Sequence, residues 1–213
     1  MSTPGTRPRG GEPAREALLT AATTLFLRHG YAATGTDLVA ATAAVSKQTL
    51  YNQFGDKESL FRAVAGAVTA RAQGFAATLP EAFAAAAAPA DVEEVLRGIA
   101  RTYLRTVARP EVLAVRRLVV GEAARFPDVA RGYHDAAVVG TLAALGAGLT
   151  DLATRGLLPV TDPAQAAEDL AYALLGPVLD RGLFRVEEPL PTPEALDARA
   201  DRVVRAFLAA RHG

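Results

Sequence analysis

The chain has 213 residues, of which 50% are hydrophobic, so it can form one large domain or two smaller ones with a buried core. Its 23 basic and 23 acidic residues give no net charge, which by itself does not indicate a nucleic-acid binder. Cysteine is absent, which excludes disulfides and thiolate metal sites; with no leader or bilayer-length apolar run, we expect a cytoplasmic protein without membrane contact.

The first predicted helix follows residues 1–12, a segment rich in proline, glycine and arginine that we expect to be a flexible arm. Apolar residues from Leu18 to Phe26 recur at intervals of three and four, which places one apolar stripe on a helix from about Pro13 to His29. Gly30 suits the position just past the end of this helix, where glycine is enriched.

Two short helices are predicted next, over Thr36–Ala43 and Ser46–Phe54, with a tight turn between them. A pair this short cannot bury its own apolar faces, so the first helix must pack beneath it. Gly55 and Asp56 then end the third helix and cap a fourth, which is expected over residues 56–78. The order of these elements is that of a helix-turn-helix.

Beyond the fourth helix, Pro80 and an alanine-rich run to Pro89 mark a junction, which could be either a helix or a loose linker. Sustained alternation of apolar and polar residues is absent, so we predict an all-α fold of about nine helices. Prolines near the starts of later helices suit first helical positions, where a missing N–H costs no hydrogen bond. The later helices are expected at about Asp91–Ala108, Glu111–Arg125, Pro127–Arg155, Pro163–Phe184 and Pro193–Arg211.

The third predicted helix carries the side chains that bear on function. Leu50 and Phe54 lie one turn apart and are expected to face the core, which leaves the polar side chains outside. Such amide, hydroxyl and ammonium groups can bond base edges and phosphates in a DNA major groove, but they also fit an ordinary polar helix surface. The outward residues are Lys47, Gln48, Thr49, Tyr51 and Asn52, bracketed by Ser46 and Lys57.

The ordered sequence of residues 45–61, VSKQTLYNQFGDKESLF, resembles the signature of TetR/AcrR-family transcriptional regulators. Upstream, Phe26, Gly30 and Tyr31 are similar to the end of the family's first helix. The resemblance covers about residues 13–70. It implies that the helix-turn-helix reads duplex DNA.

Two positions depart from the family pattern. Gly35 stands where a Ser or Thr cap is usual, and glycine is still a tolerable cap. Ala44 stands where the turn commonly has glycine, and it would be strained if that residue needs a positive φ. Within the motif from Gly35 to Phe54 and just after it, the implied DNA-contact residues are Thr36, Ser46, Lys47, Gln48, Thr49, Tyr51, Asn52 and Lys57.

The resemblance also implies a domain organisation. A helix-turn-helix DNA-binding domain is expected at residues 13–58, joined by the linking helix to a larger helical ligand-binding and dimerisation domain at residues 79–213. Arg7, Arg9 and Arg15 either extend the DNA interface as a basic arm onto the minor groove or phosphates, or belong to a disordered tail. The sequence leaves both alternatives open.

Residues 110–211 are similar to the C-terminal domain of an AcrR/AefR-like subgroup, through the stretches 116–127 and 174–180. Independently, the helix around 168–184 is apolar on two sides, so one side can meet the core while the other needs a partner. With the final helix, this predicts a four-helix homodimer interface and hence a palindromic operator. The expected interface residues are Leu170, Leu174, Leu175, Val178, Val203, Val204 and Phe207.

The function implied is a TetR-type DNA-binding regulator that is not an enzyme and needs no cofactor or metal. We expect a repressor released by a small apolar or amphipathic ligand. An activator of the same family is an open alternative, and so is a helical enzyme or lipid carrier, although metal-ligand spacing, a phosphate loop and a nucleophile motif are absent from the sequence. The candidate ligand contacts are Tyr103, Arg116, Phe126, His134 and Tyr172.

Overall fold

The computed structural model describes residues 11–185 and 187–211. All regular secondary structure in these residues is helical, which confirms the all-α prediction. The chain divides into two compact units, Met1–Gly66 and Ala67–Gly213, and the division falls inside the fourth helix.

The first unit contains three helices and the beginning of a fourth. Gly30 has φ of 80° and ψ of 166°, so it breaks the first helix where the sequence predicted its end, and one further turn follows. The start of the fourth helix is capped as predicted, because the Asp56 carboxylate accepts the backbone N–H of Ser59 at 2.6 Å. The helices are α1 (Glu12–Ala33), α2 (Thr36–Thr42), α3 (Lys47–Phe54) and α4 (Lys57–Ala84).

The core of the first unit is the apolar stripe of α1, on which α2 and α3 pack. Leu18 and Leu50 are completely buried. The rings of Phe26, Tyr31 and Phe61 form an aromatic cluster with centroids 5.1 to 6.1 Å apart, which ties the end of α1 to the start of α4. These contacts fix the base on which α3 rests.

The turn between α2 and α3 has the backbone strain that was expected if Ala44 has a positive φ. Ala44 has φ of 55° and is the one non-glycine residue with a positive φ among the described residues. Alanine in this left-handed conformation costs about 1–2 kcal/mol. The turn is closed by backbone N–H groups of Ala44 and Val45, which donate to the carbonyls of Ala41 and Ala40. The strain is therefore held by two hydrogen bonds and by the packing of both helices.

The second unit contains the rest of α4 and six further helices. Four of them begin with the prolines that the sequence placed at helix starts. A π-helical segment, Asp135–Val139, joins α7 to α8, so that Pro127–Thr154 is one continuous helix. Counted so, the described residues form nine α-helices, as predicted. The helices are α5 (Val92–Val107), α6 (Pro110–Gly121), α7 (Pro127–His134), α8 (Gly140–Thr154), α9 (Pro163–Phe184) and α10 (Pro193–Ala209).

The prediction that the fourth helix ends at about residue 78 was wrong, because α4 continues through Pro80 to Ala84, and the start of the alanine-rich run is therefore helical. Pro80 is exposed, and Phe75, Leu79 and Phe83 on another face of α4 are buried. Burial of these three large side chains outweighs the loss of one backbone hydrogen bond at the proline. The helix ends only where the alanine-rich run offers no further large apolar residue to bury.

The helix Pro127–Thr154 is the one described helix that is long and apolar enough to cross a membrane. The sequence has no uninterrupted apolar run of this length, so a helix of this kind was not expected. In the structure, α8 packs along α9 and buries Thr141, Leu145 and Leu149, and Gly146 lies beside the start of α9. The helix is thus an integral part of the helical packing of the second unit.

The predicted dimer-interface residues lie in the core of the single chain, so this prediction was wrong for most of them. Both apolar rows of α9 face neighbouring helices of the same unit, because α9 packs against α5, α6, α8 and α10. Val203 is half-buried against this core. The other six are less than a tenth exposed, namely Leu170, Leu174, Leu175, Val178, Val204 and Phe207.

Pro177 lies inside α9, and α10 compensates for it. Because proline has no N–H, the carbonyl of Ala173, four residues earlier, lacks its usual helical partner. The guanidinium of Arg199 donates to that carbonyl and, through Nε, to the carbonyl of Leu174 at 2.7 Å. An arginine of α10 therefore satisfies the one backbone carbonyl that the proline leaves without a helical donor in α9.

Candidate nucleic-acid interface and ligand cavity

The start of α3 is fixed by its own cap. Ser46 is the N-cap, and its hydroxyl accepts the backbone N–H of Thr49 at 3.0 Å and lies 2.8 Å from the Thr49 hydroxyl. The exposed hydroxyl of Ser46 remains at the helix N-terminus, where backbone N–H groups favour an anion such as phosphate. Both predicted contact residues are thus parts of a capped helix end.

The outer surface of α3 is covered by polar side chains that pair with one another. The Gln48 amide donates to the Asn52 amide oxygen at 2.9 Å, one helical turn away, and both residues are exposed. The exposed Lys47 ammonium lies 2.6 Å from the Asp37 carboxylate of α2. Asp37 raises the pKa of Lys47 through this hydrogen bond and its charge, so Lys47 is cationic throughout the physiological range.

A second contact links the beginning of α2 to the end of α3. The hydroxyls of Thr36 and Tyr51 are 3.3 Å apart, and Tyr51 is 39% exposed. A hydroxyl pair at this surface can donate to a phosphate while keeping the side chains in place. The structure therefore brings together six of the predicted contact residues, Thr36, Ser46, Lys47, Gln48, Tyr51 and Asn52, on or beside the exposed face of α3, with half-buried Thr49 beneath them.

Lys57, the last predicted contact, is held at the end of α1. Its ammonium lies 4.2 Å from the Tyr31 ring centroid and donates to the carbonyl of Ala32 at 3.3 Å. The side chain is half-buried and belongs to the aromatic cluster of the first unit. A phosphate contact by Lys57 stays a prediction.

The expected basic arm is only partly described by the structure. Arg7 and Arg9 lie outside the described residues. Arg15 belongs to α1, and its guanidinium lies over the Phe54 ring at 5.2 Å. For Arg15 the alternative of a disordered tail was therefore wrong, because a cation–π contact fixes it against the last residue of α3, and a DNA contact by Arg15 stays a prediction. Phe54, which was expected to face the core, is half-buried.

A cavity of about 50 Å³ lies inside the second unit. It is bounded by side chains of α4, α5, α6, α9 and the continuous helix from α7 to α8, including the π-helical segment. Among the described residues that line it, none is acidic and most are apolar. π-Helical segments are rare and occur preferentially at functional sites, which makes this cavity the candidate ligand site.

Three of the five predicted ligand contacts, Tyr103, Arg116 and Tyr172, line the cavity. The other two lie outside it. Phe126 is buried away from the cavity, with the Arg125 guanidinium 5.4 Å from its ring, and His134 is exposed beside Asp135. Phe126 precedes α7 and packs as its N-terminal anchor, and the His134 side chain is directed to solvent.

Sequence reasoning missed Tyr133, Phe75 and Thr141, which also line the cavity. Tyr133 neighbours His134, but adjacent residues on a helix point about 100° apart, so the right segment was chosen with the wrong face. Phe75 stacks on Tyr103 with centroids 5.0 Å apart and the ring planes 3° from parallel. That contact joins α4 to α5, and no local sequence pattern could have indicated it.

The described residues contain no group of three or more histidine, cysteine or acidic residues that could hold a metal ion. Burial raises the pKa of the Tyr103 hydroxyl to about 12 and also raises that of Tyr133, while the charge of Arg116 opposes part of each rise. Both phenols are therefore neutral hydrogen-bonding groups at physiological pH.

Comparisons with known proteins agree with this geometry. Residues 18–64 match the model described as "Bacterial regulatory proteins, tetR family". Residues 94–211 match the model described as "AefR-like transcriptional repressor, C-terminal domain". A search of curated proteins finds no match to this chain.

Solved structures of similar fold are numerous. A putative TetR-family regulator from Mesorhizobium loti is 28% identical, with a TM-score of 0.83 over 96% of this chain and 98% of that chain. The flavonoid-responsive regulator FrrA is also 28% identical, with a TM-score of 0.66 over 92% of this chain and 96% of that chain. SmeT, the repressor of the Stenotrophomonas maltophilia multidrug efflux pump SmeDEF, is 22% identical and shares the fold, with a TM-score of 0.63 over 93% of this chain and 92% of that chain.

The two family models together span both compact units and include α3 and most of the helices that line the cavity. Regulators of this family bind operator DNA and act as dimers. The helix-turn-helix, the capped polar surface of α3 and the helical second unit are the features expected of such a regulator. The chain belongs to the TetR family of bacterial transcriptional regulators.

Proposed function

We propose that the protein is a transcriptional repressor that binds a palindromic operator as a homodimer and is released by a small ligand. The observation that carries this proposal is the exposed face of α3, where amide, hydroxyl and ammonium groups are held in fixed pairs. Fixed side chains lose little conformational entropy on binding, which favours specific contacts to base edges. The match to the C-terminal domain of AefR-like repressors and the shared fold with the repressor SmeT support the repressor role.

The homodimer requires exposed surface, and the buried rows of α9 do not offer it. We infer that the exposed faces of α9 and α10 form the interface, since Arg199 already holds these two helices side by side. Ala173 and Pro177 on α9 and Ala206 on α10 are small and exposed, which permits close approach of a second copy. Phe184, at the end of α9, is 81% exposed and would be covered there.

Ligand release would act through α4. This helix begins directly after α3 and its later part contributes Val68, Arg71 and Phe75 to the cavity. A ligand can change operator affinity only if it binds two arrangements of the protein with different affinity, and α4 is the element that both sites share. The description of FrrA as flavonoid-responsive supports ligand response in a relative of similar length.

The DNA-binding part of the proposal is tested by fluorescence anisotropy against DNA flanking the protein's own gene. Binding is expected at about 50 mM salt and should weaken as salt rises, because phosphate contacts release counterions. The pair Lys47→Ala with Tyr51→Ala should abolish it, and Arg131→Ala, an exposed cation outside α3, should not. Equal binding by the double variant and the control would contradict the proposal.

The repressor and dimer parts have their own tests. Transcription from the flanking promoter should rise when the protein is removed, and a fall would instead identify an activator. Ala173→Glu should give monomers by light scattering and weaken operator binding, whereas Ala70→Glu on the exposed side of α4 should leave the dimer intact. A dimer that survives Ala173→Glu would place the interface elsewhere.

A further inference from the structure

The cavity of the second unit has a charge that nothing in its walls balances. Arg71 of α4 and Arg116 of α6 both line it, and within the described part of the chain neither makes an ion pair or hydrogen bond. Other arginines of this unit are paired, as Arg101 is with Asp201 at 2.8 Å and Arg105 with Asp197. Two unpaired cations at one cavity without acidic lining residues therefore form a site for an anion.

Arg116 is the deeper of the two cations. It is half-buried, whereas Arg71 is exposed and lies at the edge of the cavity. The charge of Arg116 acts on the buried hydroxyls of Tyr103 and Tyr133, since it opposes the rise that burial gives their pKa values. A half-buried guanidinium is poorly hydrated, so a ligand carboxylate would gain a charge-assisted and bidentate hydrogen bond there.

The rest of the lining is suited to an apolar body. Val112, Leu142 and Leu175 contribute aliphatic side chains, and the stacked rings of Phe75 and Tyr103 form a flat aromatic wall. Apolar walls bind hydrocarbon or aromatic groups through removal of their surface from water. The site thus combines one cationic position with a larger apolar surface, which is the complement of an amphiphilic anion.

We propose that the effector of this protein is an organic carboxylate whose carboxylate binds Arg116 and whose apolar body lies against Phe75, Tyr103 and the aliphatic wall. The inference rests on the ligand response proposed above and names the chemical class of that ligand. The carboxylate could come from an acyl chain or from an aromatic acid, which share this chemistry.

The cavity must widen to admit such a ligand, because about 50 Å³ is room for only a few water molecules. Arg71 and Tyr172 line the cavity and are exposed, so they can move without breaking core packing. Tyr172 is 57% exposed and marks the edge where the ligand would enter. Arg71 and Phe75 both belong to α4, so the bound ligand would contact this helix directly.

The test uses the full chain without DNA and reads tyrosine fluorescence. The chain has no tryptophan and five tyrosines, three of which, Tyr103, Tyr133 and Tyr172, line the cavity. Octanoate is compared with octan-1-ol, and 3-phenylpropanoate with 3-phenylpropan-1-ol, at neutral pH. Each acid is expected to bind about ten-fold or more tightly than its alcohol, since ionic hydrogen bonds are the stronger ones. Whichever of the two acids binds more tightly shows whether the apolar body of the effector is an acyl chain or an aromatic group.

Variants assign the preference to Arg116. Arg116→Met should bring each acid within about two-fold of its alcohol, because the ionic hydrogen bond is lost while the apolar contacts remain. Arg116→Lys should retain a preference for the acid. Arg131→Met removes an exposed charge outside the cavity and should leave the preference unchanged. Circular dichroism before each titration confirms that the variants are folded.

Any of three results would overturn the inference. The unmodified protein would bind each acid and its alcohol with equal affinity, or it would bind none of the four compounds. In the third, Arg116→Met and Arg131→Met would change the preference for the acid equally. The assay contains no DNA, so its outcome is separate from that of the operator-binding experiment. A protein that binds acids but not DNA would refute the proposed repressor and leave the carboxylate site in place. A protein that binds DNA but neither acid would refute this inference alone.

Discussion

The polar surface of α3 and the cavity of the second unit are built in different ways. The surface joins residues close in sequence, such as Gln48 and Asn52 one turn apart or Asp37 and Lys47 across one short turn. The cavity gathers side chains from helices between Val68 and Leu179. A DNA-reading surface can therefore be recognised from a short motif, whereas a ligand site on this fold depends on how distant helices pack.

The largest expected effect concerns the packing that holds the second unit together. A Cβ on Gly148 would lie 2.0 Å from the Phe83 ring, so Gly148→Ala overpacks the core and should lower the free energy of unfolding by about 1–3 kcal/mol. Phe83→Ala leaves a cavity and should cost about 3–5 kcal/mol. The double variant should cost less than the sum, since each change makes room for the other. Urea denaturation measures all three, and strict additivity would contradict the contact.

These same variants test whether the two regions are independent. Hydrogen exchange of the amides in α1 to α3 should stay near that of the unmodified protein, because Phe83 and Gly148 belong to the second unit. A matched loss of protection in the first unit would show that its stability depends on distant packing after all.

The contact between Arg199 and the proline-containing helix should have the next largest effect. Arg199→Ala leaves the carbonyl of Ala173 without a donor and removes a second bond to the carbonyl of Leu174, so it should lower the free energy of unfolding by about 1–3 kcal/mol. In a Pro177→Ala background the cost should be smaller, since residue 177 then donates an N–H to the Ala173 carbonyl. Thermal unfolding of the unmodified protein, the two single variants and the double variant measures the coupling between Arg199 and Pro177. An equal cost of Arg199→Ala in both backgrounds would show that Arg199 does not compensate for the proline.

A smaller effect is expected in the turn beside α3. Ala44→Gly should raise the free energy of unfolding of the first unit by about 0.5–1 kcal/mol, because glycine adopts a φ of 55° without strain. Ala43→Gly is the matched control, since Ala43 has φ of −78° and gains nothing from glycine. The denaturation midpoint of the first unit, followed by hydrogen exchange of its amides, should move in opposite directions for the two variants. Destabilisation by both would show that Ala44 is not strained.

The smallest expected effect concerns the charge beside α3. Asp37→Asn removes the carboxylate that pairs with Lys47, so the ammonium is free for a phosphate and operator affinity should rise a few-fold at low salt. Because Asp37 raises the pKa of Lys47, the variant should also lower that pKa, which NMR titration of the lysine measures. Weaker DNA binding by the variant would instead show that Asp37 orders the surface.

The contrast between local and distant contacts also explains what the sequence could predict. Helix starts at prolines, the end of α1 near Gly30 and the cap at Asp56 depend on neighbouring residues, and the structure confirmed them. The continuation of α4 through Pro80 depends on burial of Phe83 against Gly148, some 65 residues away, and was missed.

The candidate sites divide along the same line. The polar face of α3 was predicted from spacing and from the family motif, although its internal pairs were not. Tyr133 and Phe75 of the cavity were missed, because an aromatic residue on an amphipathic helix looks the same whether it faces a core or a cavity. The buried rows of α9 were mistaken for an interface for a related reason. The sequence of a helix does not show how many other helices pack against it, and α9 has neighbours of the same chain on both apolar sides.

The π-helical segment Asp135–Val139 has a consequence for how this chain tolerates changes in length. A π-turn holds one residue more than an α-turn, so deletion of a single residue there would restore a regular helix without breaking it. Because the wider π-turn accommodates the extra residue within a single turn, the later residues of α8 would keep nearly their present orientation about the helix axis. Thr141, whose hydroxyl donates to the Ala137 carbonyl, would stay in the cavity wall, and Leu145 would stay in the core. The loss of one residue in this stretch would therefore change the local turn and preserve the side chains that α8 contributes to the cavity.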